Sequence, residues 1–177
     1  MRKLKNSELN RLSVKEFKRT EKFPVVVVLD NVRSLNNVGS VFRTADGFLI
    51  EKICLCGITA KPPHRDIHKT ALGATDSVNW EYYKSTEQAV GKLKEAGYLI
   101  CSIEQADKSI MLTDFVPLPE NKYALIFGHE VKGVQQSIVE NSDMCLEIPQ
   151  QGTKHSFNIS VSAAIVLYHF YYHYISS

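Results

Sequence analysis

Three short stretches combine glycine, amide, hydroxyl and charged side chains in patterns suited to ligand chemistry. In Asn36-Asn37-Val38-Gly39-Ser40-Val41-Phe42-Arg43-Thr44-Ala45-Asp46, Asn37 is placed to cap a helix and Gly39 lets a neighbouring backbone or ligand approach. Arg43 follows, and a guanidinium is a planar fork matched to phosphate. Alone, this is also a surface arginine on a well-capped helix. Leu125-Ile126-Phe127-Gly128-His129-Glu130-Val131-Lys132-Gly133 combines a strand end, a glycine turn and an acid in the loop. Alone, it is any strand-to-helix turn. In Ile148-Pro149-Gln150-Gln151-Gly152-Thr153-Lys154-His155-Ser156-Phe157-Asn158-Ile159-Ser160-Val161, a strand stops at a proline and a polar loop turns at Gly152. Ser156 and Asn158 then reach the mouth of a helix, where unpaired N–H groups and a positive dipole end can hold a polar ligand.

These stretches need elements to hold them. Val25-Val26-Val27-Val28-Leu29 is a continuous β-branched run of the kind buried on both faces of a parallel sheet. Further strands are predicted at Lys52–Cys56, Val78–Tyr82, Tyr98–Ser102, Tyr123–Phe127 and Met144–Ile148. Helices are predicted from about Asn37 to Gly47, at His68–Ala71, at Ser85–Ala96 and at Val134–Asn141. Strands alternating with helices predict an α/β fold, a parallel sheet flanked by helices on both faces. Ligands then sit beyond the carboxyl ends of the strands, which directs attention to the loops after Leu29, Ser102, Phe127 and Ile148. No GxGxxG is present, and Gly128 to Gly133 is not followed by the Lys-Ser/Thr of a P-loop, so dinucleotides and nucleoside triphosphates lose their main support. The last helix, rich in apolar residues from Val161 to Ile175, has no clean polar stripe. It must be covered inside the domain, inside an oligomer, or both.

The 177 residues make one domain, preceded by a basic arm over residues 1–22. Eight cations in the arm face three acids, an excess of five that leaves the remainder at minus three for a chain of net charge +2. A basic arm on a mildly acidic body suggests a polyanion contact, although a solvated amphipathic helix has the same composition. Ser13 with Glu16 makes a capping box for a short helix there. The four cysteines lack a CxxC pair and lie in apolar strand-like contexts, which fits small buried hydrophobes in a reducing compartment. No apolar leader or membrane-length run is found, and the expectation is a cytoplasmic protein without a membrane partner. His169 and His173, like His64 and His68, are four apart but outside any HExxH pattern, so no metal site is expected. Lys61, His64, Arg65 and Lys69 are candidates to track nucleic-acid phosphates, or are simply an exposed loop. For Trp80, Tyr82 and Tyr83, core or interface packing is favoured over base stacking.

Taken together, the three stretches resemble the SpoU/TrmH branch of the SPOUT methyltransferases. Asn-x-Gly-x-x-x-Arg matches Asn37, Gly39 and Arg43; apolar-Gly-x-Glu-x-x-Gly matches Gly128, Glu130 and Gly133. Ile-Pro, a glycine-containing loop and Ser-x-Asn-x-Ser match Ile148, Pro149, Gly152, Ser156, Asn158 and Ser160. Lys69 to Ala74 also looks like a family segment, and the resemblance runs from about Val25 to Tyr174. Gln150 and Phe157 stand where the family commonly has Met and Leu, and His155 is bulky for that loop.

The resemblance implies an RNA 2′-O-ribose methyltransferase that takes its methyl group from S-adenosyl-L-methionine (AdoMet). It implies a SPOUT domain over residues 23–177, a deep trefoil knot at the C-terminus, and a homodimer packed through the last helix. The donor would be held around Ser102, Gly128, Ile148 and Phe157. Arg43 would steady the developing oxyanion and an adjacent phosphate, Glu130 would orient Arg43 or Asn37, and Ser156 and Asn158 would hold the ribose or the cofactor loop. With only a short arm ahead of the domain, tRNA is favoured over rRNA. A catalytically idle RNA-binding homodimer is the competing class, and base methylation is disfavoured because the Asn-x-Gly-x-x-x-Arg pattern marks the ribose-modifying branch.

Overall fold

Val25 to Leu29 form the middle of the sheet. In the computed structural model, which describes residues 1–176, β1 (Phe23–Asp30) is flanked by β2 (Ile50–Cys56) and β6 (Lys122–Phe127), both parallel to it. Successive side chains of a strand point to opposite faces. Val25, Val27 and Leu29 accordingly enter one apolar core, and Val26 and Val28 a second one on the other face. Both cores need a cover, and helices supply it. Val38, Val41, Phe42 and Ala45 of α2 (Leu35–Gly47) and Ala163, Val166, Leu167 and Phe170 of α7 (Ile159–Ile175) close the first. Ala89, Val90 and Leu93 of α5 (Thr86–Glu95) and Ile138 of α6 (Gln136–Glu140) close the second.

The sheet has seven strands, all parallel, in the order β3-β2-β1-β6-β4-β7-β5, with β3 at Asn79–Tyr83, β4 at Tyr98–Ile103, β5 at Ile110–Met111 and β7 at Met144–Glu147. Strand β5 was not foreseen because two residues carry no periodicity. The four-residue α4 (Ala74–Ser77) was missed for the same reason. Helix α1 (Val14–Arg19) opens on the Ser13/Glu16 capping box, and its Phe17 enters the first core. The second half of the basic arm is therefore docked on the domain.

Three helix starts differ from the sequence reading, α6 by beginning two residues late at Gln136. Asn37 is not the cap of α2; Ser34 is, its hydroxyl accepting from the Asn37 N–H at 3.3 Å. The helix begins earlier because Ser34 satisfies the first-turn donors, which frees the Asn37 amide for other contacts. Helix α3 (Arg65–Ala71) likewise starts three residues early, capped by His64.

Gly39 answers its own question: what approaches it is backbone. A Cβ there would stand 2.3 Å from the Ile67 carbonyl oxygen and 2.1 Å from Thr70 Oγ1, both on α3. Gly39→Ala gains about 1 kcal/mol of helix propensity but wedges α2 from α3, and overpacking of this kind costs about 1–3 kcal/mol. The expected outcome is net destabilisation by urea unfolding. An unchanged or raised midpoint would mean the two helices separate freely.

Candidate functional site

Because every strand is parallel, the loops after β1, β4, β6 and β7 emerge on one edge, and the polar stretches meet there. The loop after β6 is held in shape by its own backbone. His129 and Gly133 exchange N–H···O bonds of 3.0 and 2.8 Å, and the His129 Nδ1 accepts from the Val131 N–H at 3.0 Å. Gly128 is required by closeness. A Cβ at that position would lie 2.0 Å from the Gly133 carbonyl carbon and 2.1 Å from the Val134 nitrogen.

A set of hydrogen bonds then joins the loops. The Glu130 carboxylate accepts from the Ser34 N–H at 2.8 Å, the Arg33 N–H at 3.1 Å and the Asn37 amide nitrogen at 3.1 Å. The Asn37 amide oxygen accepts from the Asn158 amide nitrogen at 3.2 Å. The Asn158 oxygen in turn caps α7, accepting from the Ser160 N–H at 2.9 Å and its hydroxyl at 2.7 Å. One residue from each of the three stretches is thus tied into a single polar chain. On the far side, Glu104 accepts from the Val134 N–H at 3.1 Å, and the Gln105 side chain donates to the His155 carbonyl at 3.0 Å. Loop 104–107, loop 128–134 and loop 149–158 are in this way tied to one another.

They enclose a cleft of about 770 Å³. Gly128, Glu130, Ile148, Ser156, Phe157 and Asn158 all line it, together with Ile103 to Asp107. Asn37 stands just behind, bonded to two wall residues. Ser102 is not a wall residue. It is fully buried and shares a 2.6 Å hydrogen bond with Ser142, because β4 runs one residue past the expected end, to Ile103, and leaves Glu104 to open the loop. Glu104 and Gln105 are the site residues that sequence reasoning missed, and the strand-end position was the signal that could have found them. Gly152, read as a turn residue, has open space around it.

Arg43 also lies outside the cleft of its own chain. It is exposed on α2, on the face of Asn36, Ser40 and Gly47. Six residues of helix carry it about 9 Å beyond Asn37 and about 120° around the axis. The His169 imidazole Nε2 lies 2.7 Å from the Phe115 carbonyl oxygen, and among the described residues no group of three or more His, Cys, Asp or Glu side chains is arranged to hold a metal. The four cysteines are buried free thiols; burial pushes Cys54 up to about 12, so it stays protonated. Among the described residues no helix is long and apolar enough to cross a membrane.

Burial is the largest single influence on Glu130 and works to raise its pKa, but the hydrogen bonds from Ser34, Arg33 and Asn37 outweigh it and leave the carboxyl below its ordinary value. A depressed folded-state pKa contributes stability above the unfolded-state value, and that contribution is lost as pH falls through the folded value. Glu130→Gln is therefore expected to be less stable than wild type at neutral pH, with the gap narrowing toward about pH 3. Urea unfolding at both ends of that range checks it; a gap independent of pH would show that the charge of Glu130 is not what holds the loop.

A parallel α/β domain whose ligand cleft is built from three loops at the carboxyl edge, the last of them capping a C-terminal helix, defines a class of protein. The comparisons narrow it. The SpoU rRNA Methylase family matches residues 24–168, and the chain belongs to that family. It is 30% identical over 141 residues to a tRNA (guanosine(18)-2'-O)-methyltransferase of Borreliella burgdorferi, covering 80% of this chain and 63% of that one. In fold it is similar to an AdoMet-bound rRNA methyltransferase from Sinorhizobium meliloti, with a TM-score of 0.80, 23% identity, and 89% of this chain and 60% of that one covered. It is also similar to a structure that gives insights into the 2-OH methylation of C/U34 on tRNA, with a TM-score of 0.76, 21% identity, and 86% of this chain and 97% of that one covered. The chain spans less than two thirds of the length of the curated relatives it matches.

Proposed function

We propose that this protein is an AdoMet-dependent RNA 2′-O-ribose methyltransferase acting on tRNA, as a homodimer with a knotted C-terminus. The observation that carries the reading is the polar chain Glu130–Asn37–Asn158, which unites all three stretches at the rim of one cleft.

The cleft suits the donor. Its volume lies within the range of small-molecule sites, and its walls alternate the apolar side chains of Ile103, Ile148, Phe157 and Ile159 with loop backbone that can bond a polar edge. The bare Gly128 lets the return limb of its own loop pack against it, where any side chain would collide with Gly133 and Val134, and so fixes the shape of the wall. When bound, AdoMet supplies a methyl group activated by a positive sulfur. Ile148, Phe157 and the backbone from Gly128 to Gly133 would hold it. Glu130, Asn37 and Asn158 would keep the rim rigid so that the ribose hydroxyl, methyl carbon and sulfur stay in line. Alignment of this kind can supply on the order of 7 kcal/mol or more of barrier reduction. Ser156 and Asn158 would position the ribose.

A guanidinium offers hydrogen-bond donors and no acceptor, so Arg43 would clamp a phosphate and steady the oxygen as its proton leaves. Since it lines no part of its own cleft, it would act in the cleft of a second copy. Support for a second copy comes from α7, which covers the core with one side and leaves Val161, Tyr168, Tyr172 and Ile175 exposed on the other. Support for a knot is the course of the chain after β7, an inner strand, back into the cleft between loops 104–107 and 128–134. Support for tRNA is the Borreliella relative and the tRNA-methylation structure, of which this chain covers 97%.

The test incubates the protein and labelled AdoMet separately with bulk tRNA and rRNA, then digests with alkali. Label retained in alkali-resistant dinucleotides from tRNA supports the reading. Label in mononucleotides, or none at all, refutes it.

A further inference from the structure

Beyond the cleft, the same carboxyl edge continues over β1, β2 and β3 as a basic ledge. Arg33 follows β1, and Lys61 follows β2. Arg65 and Lys69 share the outer face of α3, one turn apart, while Ile67 and Ala71 face inward to the core. All four cations are exposed. Among the described residues, ion pairs form at Arg2–Glu8 and Lys52–Glu81, and none forms on the ledge, where Glu130, Asp66 and Asp76 are the acids. Lys61 instead lies over the ring of Tyr82, 4.3 Å from its centroid, on a side chain that is 40% exposed.

The ledge has a stiff floor continuous with the cleft. Glu130 holds the Arg33 and Ser34 N–H groups. The Thr70 hydroxyl of α3 donates to the Asn36 carbonyl at 3.0 Å. The Asn31 side chain accepts from the Ile58 N–H at 3.2 Å, and the Tyr82 hydroxyl donates to the Gly57 carbonyl at 3.0 Å. Four unpaired cations on fixed backbone, leading away from the cleft wall, make a track for a polyanion.

Resting on the function proposed above, we infer that this ledge carries the sugar-phosphate backbone of the RNA away from the cleft, with Arg33, Lys61, Arg65 and Lys69 each facing a phosphate.

The test compares wild type with the triple variant Lys61→Ala, Arg65→Ala, Lys69→Ala, using fluorescently labelled bulk tRNA and fragmented bulk rRNA over a salt series. Each lost phosphate contact lowers the slope of log K against log salt by about 0.7 to 0.9. The triple variant is therefore expected to lose about two units of slope and at least about tenfold in affinity at low salt. Lys122→Ala, at the opposite edge of the sheet, should leave both unchanged, as should calorimetric AdoMet binding by the triple variant. Wild-type affinity and slope in the triple variant overturn the inference, and so does an affinity loss with unchanged slope. Wild type that binds RNA through the ledge but transfers no methyl group would overturn the proposed function alone; wild type that binds neither RNA overturns both.

Discussion

Arg43→Ala is expected to lower methyl transfer by about 100- to 1,000-fold, the cost of removing one charge-stabilising donor from a transition state, while AdoMet binding measured by calorimetry stays at the wild-type value. The two readouts separate because Arg43 lines no part of its own cleft and its side chain makes no contact that holds the fold. A stronger form uses mixing. If Arg43 acts across a dimer, a variant lacking it and a variant with a ruined cleft are each inactive, but a mixed dimer has one intact site. Random re-assortment should then recover about a quarter of wild-type activity, since half the dimers are mixed and each has one working site of two. Full turnover by Arg43→Ala would remove the residue from the mechanism. An inactive variant with no recovery on mixing would place its action in its own chain or in RNA binding alone.

The ruined cleft can be supplied by Gly128→Ala, the substitution with the second largest expected effect. The added carbon would stand 2.0 Å from the Gly133 carbonyl carbon and 2.1 Å from the Val134 nitrogen, well inside van der Waals contact. Those atoms are backbone on the return limb of the same loop, and no rotamer change relieves the clash. The two bonds between His129 and Gly133 must open, and with them the anchor of Val134 on Glu104. Overpacking costs about 1–3 kcal/mol, so the protein should fold with a lowered unfolding midpoint. AdoMet affinity should fall by at least about tenfold, since each 1.4 kcal/mol of misplaced binding surface is a factor of ten. Wild-type donor affinity in Gly128→Ala would mean the loop after β6 is not the donor's wall.

Much of this architecture was legible in order along the chain. The Val25 to Leu29 run is an inner parallel strand as read, and the Ser13 capping box opens its helix, as the Ser85 cap opens α5. Helix α7 was too apolar to lie free of the domain, and it buries Ala163, Val166, Leu167 and Phe170 while Tyr168 and Tyr172 stay exposed. The errors lie where local signals compete. Asn37 looked like a cap, but Ser34, three residues earlier, took that role. Glu104 was marked only by its place at a strand end, because its partner at Val134 is thirty residues away.

By itself, then, the sequence determined the class of fold and which three stretches supply the polar side chains, since both depend on periodicity and short spacings within a few turns of chain. Only the tertiary structure decided how those side chains are used. That Asn37 bonds Glu130 on one side and Asn158 on the other, that Ser102 is buried one step behind the wall, and that Arg43 lines no part of its own cleft all depend on helix pitch, strand length and the packing of distant segments. Such contacts join residues up to 121 positions apart. No local rule encodes them, because the energy that fixes them arises only when the parallel sheet has brought the loops to one edge.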